Sequence, residues 1–438
     1  MDTEMRETAK QVTLVTGRAV YLDGIPGAKD SELKAQTARG LTAMQEREWD
    51  EAISHFQEAF NRTESLEQSA ALSALIGSCH FEQCRYQPAL DSFGDSARLA
   101  EQAGDKPGRA HALNYMGSVY SNRGELDQAL ENHEEALAIA HEIGDRDGEA
   151  QALGNLGIVY RDKGEPNKAI EHLERALAMA REVGNPLLAA NNLLGVGRFH
   201  VARGEADTAL EYLNKALETY REIGSARGVA SALNNVGSVY DEQGDHIRAL
   251  DFYDEALAQY RKTHDRRGEA KVLQNTGVLY AGTGDLAKAL SYYEQALAIA
   301  REVGDPEVQA NGLNYIALIH RGLGEPEKAL EYHERALAIA REAGYSHGEA
   351  STLSNIGLLY ATQGKPDKAL PRLVEARIIF LGIGAQSSAE NPTQNLKLLL
   401  QQTGRERFVK GCVEAGMTSE DAEELAEAEL GRDRPMAD

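Results

Sequence analysis

The sequence repeats itself every 40 residues, and that period limits the possible folds more than any other feature. One glycine series runs Gly124, Gly164, Gly204, Gly244, Gly284, Gly324 and Gly364. A second runs Gly77, Gly117, Gly157, Gly197, Gly237, Gly277 and Gly357, with Ala317 as its one substitute. Three residues after each member of the second series comes a ring: His80, Tyr120, Tyr160, His200, Tyr240, Tyr280, His320 and Tyr360. Alanine recurs at Ala89, Ala129, Ala169 and onward, and a second alanine follows seven places later, as in Ala136, Ala176 and Ala216. The first two copies are 37 residues apart, Ala52 to Ala89, and all later ones 40.

Each unit reads as two helices. Leu153, Leu156, Gly157 and Tyr160 fall on one face at helical spacing, and Ala169, Ile170, Leu173, Ala176 and Leu177 form a second stripe. Between them Asp162-Lys163-Gly164-Glu165-Pro166 stops one helix and starts the next. Gly164 suits a left-handed terminating residue, and Pro166, Pro326 and Pro366 suit a first helical position. The second helices end at Gly144, Gly184, Gly224, Gly304 or Gly344, and Asp145, Asn185, Ser225 and Asp305 follow as caps. Small residues at Gly157, Ala169 and Ala176 allow close backbone approach. One such pair cannot bury both its faces, so neighbours must stack on it. The expected fold is all-α, a right-handed superhelical solenoid of antiparallel helix pairs.

The series Leu153, Leu156-Gly157, Tyr160, Gly164, Ala169, Leu173, Ala176 resembles the tetratricopeptide repeat, W-x2-L-G-x2-Y…A-x3-F-x2-A. Leu replaces the Trp, and the Phe slot varies through Phe56, Phe93, His133, Leu173, Leu213, Tyr253, Tyr293, His333 and Leu373. Trp49 lies outside the Trp slot, in the turn before Asp50-Glu51-Ala52-Ile53. The resemblance covers roughly residues 30–416. The 40-residue period exceeds the usual ~34 and is similar to that of the Pins/LGN subgroup, with kinesin light chains and MalT-type regulators also related. The resemblance implies an adaptor or regulator that holds an extended peptide in the groove lined by the first helices. The Asp-Gln-Arg signature of a GoLoco motif is absent, so no G-protein subunit is implied.

The register divides the chain into a partly ordered N-terminal arm at 1–29, nine repeats over 30–386, a degenerate capping pair at 387–416 opened by Asn391-Pro392, and an acidic C-terminal helix or tail at 417–438. In the tail, Thr418 or Ser419 caps a helix whose narrow apolar stripe is Ala422, Leu425, Ala426 and Leu430. That stripe suits a helix leaning on the cap or one that docks elsewhere.

Composition narrows the function classes. The 46 Lys and Arg against 69 Asp and Glu give a net charge of −23, which opposes a phosphate backbone, so no nucleic-acid partner is expected. Three cysteines in 438 residues build no disulfide framework and fit a cytoplasmic setting. The opening MDTEMRETAKQV has no apolar core of a secretory leader, and no run reaches the ~18 apolar residues of a membrane span.

No P-loop, Gly-x-Gly-x-x-Gly loop or His-Glu-x-x-His motif occurs, so neither catalysis nor a cofactor nor a metal is expected. Cys79 and Cys84 flank His80 at a spacing unlike that of a standard ligand pair. His80, His200 and His320 sit in the Tyr slot and His133 and His333 in the Phe slot, which makes them core or half-buried residues.

The remaining signal is amide-rich. With Leu153, Leu156, Gly157 and Tyr160 facing the core, two columns point into the groove. The first is Asn114, Gly154, Leu194, Asn234, Gln274, Asn314 and Ser354; the second is Tyr115, Asn155, Gly195, Asn235, Asn275, Tyr315 and Asn355. Asn costs a helix roughly half a kcal/mol or more relative to Ala, so seven of them in fourteen interior slots need a reason. An amide both donates and accepts, which suits the backbone of an extended peptide. Duplication of a harmless Asn is the competing explanation. Arg198 beside Gly195 adds a cation on a bare stretch. The expectation is a non-catalytic adaptor for an extended segment of a partner protein. A self-assembling scaffold through the solenoid ends or tail, and a ligand- or peptide-responsive regulator, are the alternatives.

Overall fold

The computed structural model describes residues 31–430; the expected N-terminal arm and the last residues of the tail lie outside them. The described residues form helices and turns without a strand, grouped into two compact units. The first takes residues up to Asn122, Asp127–Arg161 and Glu165–Gly228. The second takes Arg123–Leu126, Asp162–Gly164 and Val229 onward.

In the first unit the pairs are α1 (Ser31–Gln45) with α2 (Trp49–Phe60) and α3 (Leu66–Glu82) with α4 (Tyr86–Ala103). Next come α5 (Lys106–Arg123) with α6 (Leu126–Ile143), α7 (Arg146–Lys163) with α8 (Pro166–Glu182), and α9 (Pro186–Ala202) with α10 (Ala206–Glu222). The second unit continues with α11 (Ala226–Glu242) and α12 (His246–Lys262), α13 (Arg266–Gly282) and α14 (Leu286–Val303), α15 (Pro306–Gly322) and α16 (Pro326–Glu342). It ends with α17 (Ser346–Thr362) and α18 (Pro366–Gly382), then α19 (Gln386–Thr403), α20 (Arg405–Glu414) and α21 (Ser419–Leu430). Odd-numbered helices through α19 are first helices, and even-numbered ones second helices.

The turns form for the reasons the sequence suggests. Gly164 has φ +79° and Gly304 φ +69°, the left-handed conformation that ends a helix without a Cβ clash. Cys84 and His264 stand in glycine slots and adopt φ +56° and +52° themselves. Asn185 then caps α9 by accepting the Leu188 N–H at 3.1 Å, and Asp305 caps α15 through the Val308 N–H at 3.0 Å.

Within each pair, glycine on the first helix makes room for the bulky residue on the second. A Cβ at Gly157 would lie 2.6 Å from Leu173 Cγ, and one at Gly277 2.5 Å from the Tyr293 ring. Ala169, Ala176, Ala289 and Ala296 are fully buried where the backbones meet. Overfilling such a contact costs about 1–3 kcal/mol.

Two details differ from the sequence reading. Trp49 begins α2 instead of occupying the turn before it. Pro392 lies inside α19, which starts at Gln386, so Asn391-Pro392 does not open the pair. Burial of Leu396, Leu399 and Leu400 in the terminal core outweighs the backbone bond that Pro392 forfeits. Of the two readings of the tail stripe, the structure has the helix leaning on the cap: Ala422, Leu425 and Ala426 pack with Leu370, Leu373, Phe408 and Cys412, and the Thr418 hydroxyl accepts the Asp421 N–H at 3.0 Å. No helix among the described residues is long and apolar enough to cross a membrane.

Candidate functional site

The two amide columns separate in the structure. Most of the first is turned inward. Asn114, Gln274, Asn314 and Ser354 are buried, and Gly154 with them. Leu194 and Asn234 are half-buried. The column lies one residue, about 100° of helix rotation, from the second, which turns it towards the neighbouring helices.

Burial requires partners, and these amides have them. The His133 Nδ1–H donates to Asn114 Oδ1 at 2.6 Å, and the His333 Nδ1–H to Asn314 Oδ1 at 2.7 Å. The Asn314 amide donates to Thr352 Oγ1 at 2.8 Å, and Gln274 donates to the Val308 carbonyl at 2.6 Å. Two of the predicted Asn residues therefore answer the imidazoles that replace Phe in the second helices. Burial holds both imidazoles neutral, with pKa pushed down to about 3 for His133 and about 4 for His333.

The second column is half-exposed except at the buried Gly195. In the first unit Asn155 donates to Asn114 Oδ1 at 3.0 Å, and in the second Asn275 donates to Asn234 Oδ1 at 2.9 Å. One N–H fixes each amide across to the preceding first helix, leaving its oxygen and second N–H directed elsewhere. Asn235 donates to the Ser231 carbonyl of its own helix at 2.7 Å. Asn355 meets no hydrogen-bond partner among the described residues. Tyr115 stacks on Phe93 with ring centroids 5.1 Å apart, and Tyr315 on Tyr293 at the same separation. Burial pushes both hydroxyls up from the usual tyrosine range. Arg198 is exposed on α9, one turn from the buried Gly195.

Sequence reasoning missed part of this face. Asn395 on α19 continues the second column one period beyond Asn355 and is half-exposed. Three residues further along each helix lie Val278, Leu318, Leu358 and Leu398, none of them buried. The 40-residue register was the available signal, and Pro392 masked it by suggesting a break.

Other titratable groups are accounted for by packing. The His200 and His320 imidazoles lie half-buried, 2.6 Å from Glu205 and 2.7 Å from Glu325. Burial pushes the thiols of Cys79 and Cys412 up to about 12. No group of three or more His, Cys, Asp or Glu among the described residues could hold a metal ion.

A family model described as tetratricopeptide repeat matches residues 108–182, 188–262, 228–302 and 308–379. No curated protein sequence matches the chain. Among solved structures, a Rap protein complexed with Competence and Sporulation Factor is 18% identical, with TM-score 0.59, over 77% of this chain and 95% of that one. The apo form of RapI is 15% identical, with TM-score 0.51, over 62% of this chain and 99% of that one. Aspartyl phosphate phosphatase F from Bacillus subtilis is 12% identical, with TM-score 0.47, over 81% and 95%.

Proposed function

The chain belongs to the tetratricopeptide-repeat family, and from that premise we propose that it is a non-catalytic adaptor holding an extended segment of a partner protein against its first helices. The observation that carries this reading is the half-exposed amide column. Asn155, Asn235, Asn275 and Asn355 recur at one register, and cross-helix bonds hold Asn155 and Asn275 in place before any ligand arrives. A fixed donor–acceptor group loses little freedom when it binds backbone. The Rap protein of similar fold was solved with a bound factor, which supports a bound partner here. The strongly shifted groups His133, His333 and Cys79 are buried and so are poorly placed for acid–base work on an external substrate.

The test is capture from host lysate by the wild-type chain and by the Asn235→Ala/Asn275→Ala/Asn355→Ala variant. Ala is the better helix former, so the variant should retain the wild-type circular-dichroism spectrum. The expected result is a partner held by wild type and lost by the variant. A partner retained equally by both would overturn the assignment of this face.

A further inference from the structure

The four first helices α13, α15, α17 and α19 carry a surface whose chemistry selects its ligand. Successive members touch, α13 with α15, α15 with α17 and α17 with α19, so equivalent residues lie side by side. Val278 and Leu398 are 39% and 54% exposed, and Leu318 and Leu358 are half-exposed at the same register. Asn275, Asn355 and Asn395 run parallel to them one turn earlier.

Charge is scarce on this face. Starting at 271, 311, 351 and 391, the positions i, i+4, i+7 and i+11 make sixteen sites, of which one, Lys271, is charged. At the chain's 26% charged content about four would be expected. Lys271 is itself paired, 3.3 Å from Glu307. A chain of net charge −23 thus holds an almost uncharged strip of amide and aliphatic groups. A charged segment laid there would lose hydration and find Arg321, three residues past Leu318, as its nearby cation, whereas an uncharged one loses little.

Spacing adds a second constraint. Packed helices stand about 8–10 Å apart. A polyproline-II segment rises about 3.1 Å per residue, so its every third side chain returns to the same side after about 9 Å. We infer that the second unit binds an uncharged segment of a partner protein with aliphatic side chains at every third residue, one per helix from α13 to α19, its backbone bonded by Asn275, Asn355 and Asn395. This rests on the reading of the first-helix face as the binding surface.

The test is fluorescence anisotropy of the full chain with three labelled 12-residue peptides. The first has Leu at every third position among Ser, Thr and Asn. The second has the same composition with its four Leu consecutive. The third has Glu in place of each Leu. The first should bind at least tenfold tighter than the others. Val278→Ser/Leu398→Ser, which alters the two most exposed members, should weaken it at least tenfold with an unchanged melting midpoint. If the second peptide binds as well as the first, the spacing is wrong. If the Glu peptide binds best and Asn275→Ala/Asn355→Ala weakens it, the chemistry assigned here is wrong while the adaptor reading stands. If no peptide's affinity responds to any of these variants, both readings fall.

Discussion

Helices α9 and α13 are both first helices, and they share a frame while differing in face. In each, glycine lies under a second-helix side chain: Gly197 under Leu213, Gly277 under Tyr293. In each, an acid or amide caps the start: Asn185 for α9, Asp265 for α13. Their open sides have nothing in common. On α9 the equivalent positions are the buried Gly195 and the exposed Arg198, and on α13 the half-exposed Asn275 and the exposed Val278. The comparison shows that the forces making a helix pair leave the exposed face free to vary. What recurs on that face beyond the needs of packing calls for another explanation.

Damage to the frame should cost most. Asp305 is completely buried, caps α15 and lies 2.6 Å from Arg267. Burial alone would raise its carboxyl pKa, but Arg267 and Lys271 outweigh that and hold it below the usual range. Asp305→Ala should cost about 2 kcal/mol in urea denaturation, since it removes the cap and the nearer of the two carboxylates beside Arg267, leaving Glu307 at 3.2 Å. Asn185→Ala on α9, where the cap is partly exposed, should cost about 1 kcal/mol.

Acid should attack the frame at the two buried imidazoles. Both titrate near 6.5 when unfolded and lower when folded, so the unfolded chain takes up protons first. Their stabilising effect is complete above pH 6.5 and falls as pH drops towards 4. The loss is about 3 kcal/mol for each by pH 4, from about 1.4 kcal/mol per unit. His333→Leu, which installs the residue found at Leu173, Leu213 and Leu373, should make the fall of melting temperature between pH 6.5 and 4 less steep, with the part due to His133 remaining. An equally steep profile in that variant would place the acid sensitivity elsewhere.

The helix ends should give smaller effects of opposite sign. Exposed His264 pays for a left-handed φ of +52°, so His264→Gly should stabilise by about 1 kcal/mol in the same denaturation series. Smallest of all should be the face. Arg198→Ala and Asn275→Ala should each change stability by under about 0.5 kcal/mol, while only Asn275→Ala weakens partner capture. Equal effects of the two on capture would erase the distinction between α9 and α13.

The frame was legible in the sequence because it depends on pair contacts that repeat: a missing Cβ opposite a large residue, a left-handed glycine, a cap. Even the exceptions followed, since Cys84 occupies its glycine slot with the backbone conformation of glycine. The face was legible only to within one residue. Asn314 and Tyr315, or Asn234 and Asn235, differ by a single step along the chain. Linear pattern cannot tell a surface amide from one answering a buried histidine 19 residues away, as Asn114 and Asn314 do. Asn395 escaped notice because Pro392 is ordinarily a helix breaker, and only tertiary burial of Leu396 and Leu399 shows that the register continues.

The most direct test places a photo-crosslinking residue at position 355 of the first-helix face, and in a second version at position 331, where Glu331 is exposed on the second helix α16. Each is irradiated with the captured partner, and the joined peptides are sequenced. The account predicts one partner segment joined to position 355 and none to position 331. Crosslinks from position 331 alone, or equally from both, would contradict it.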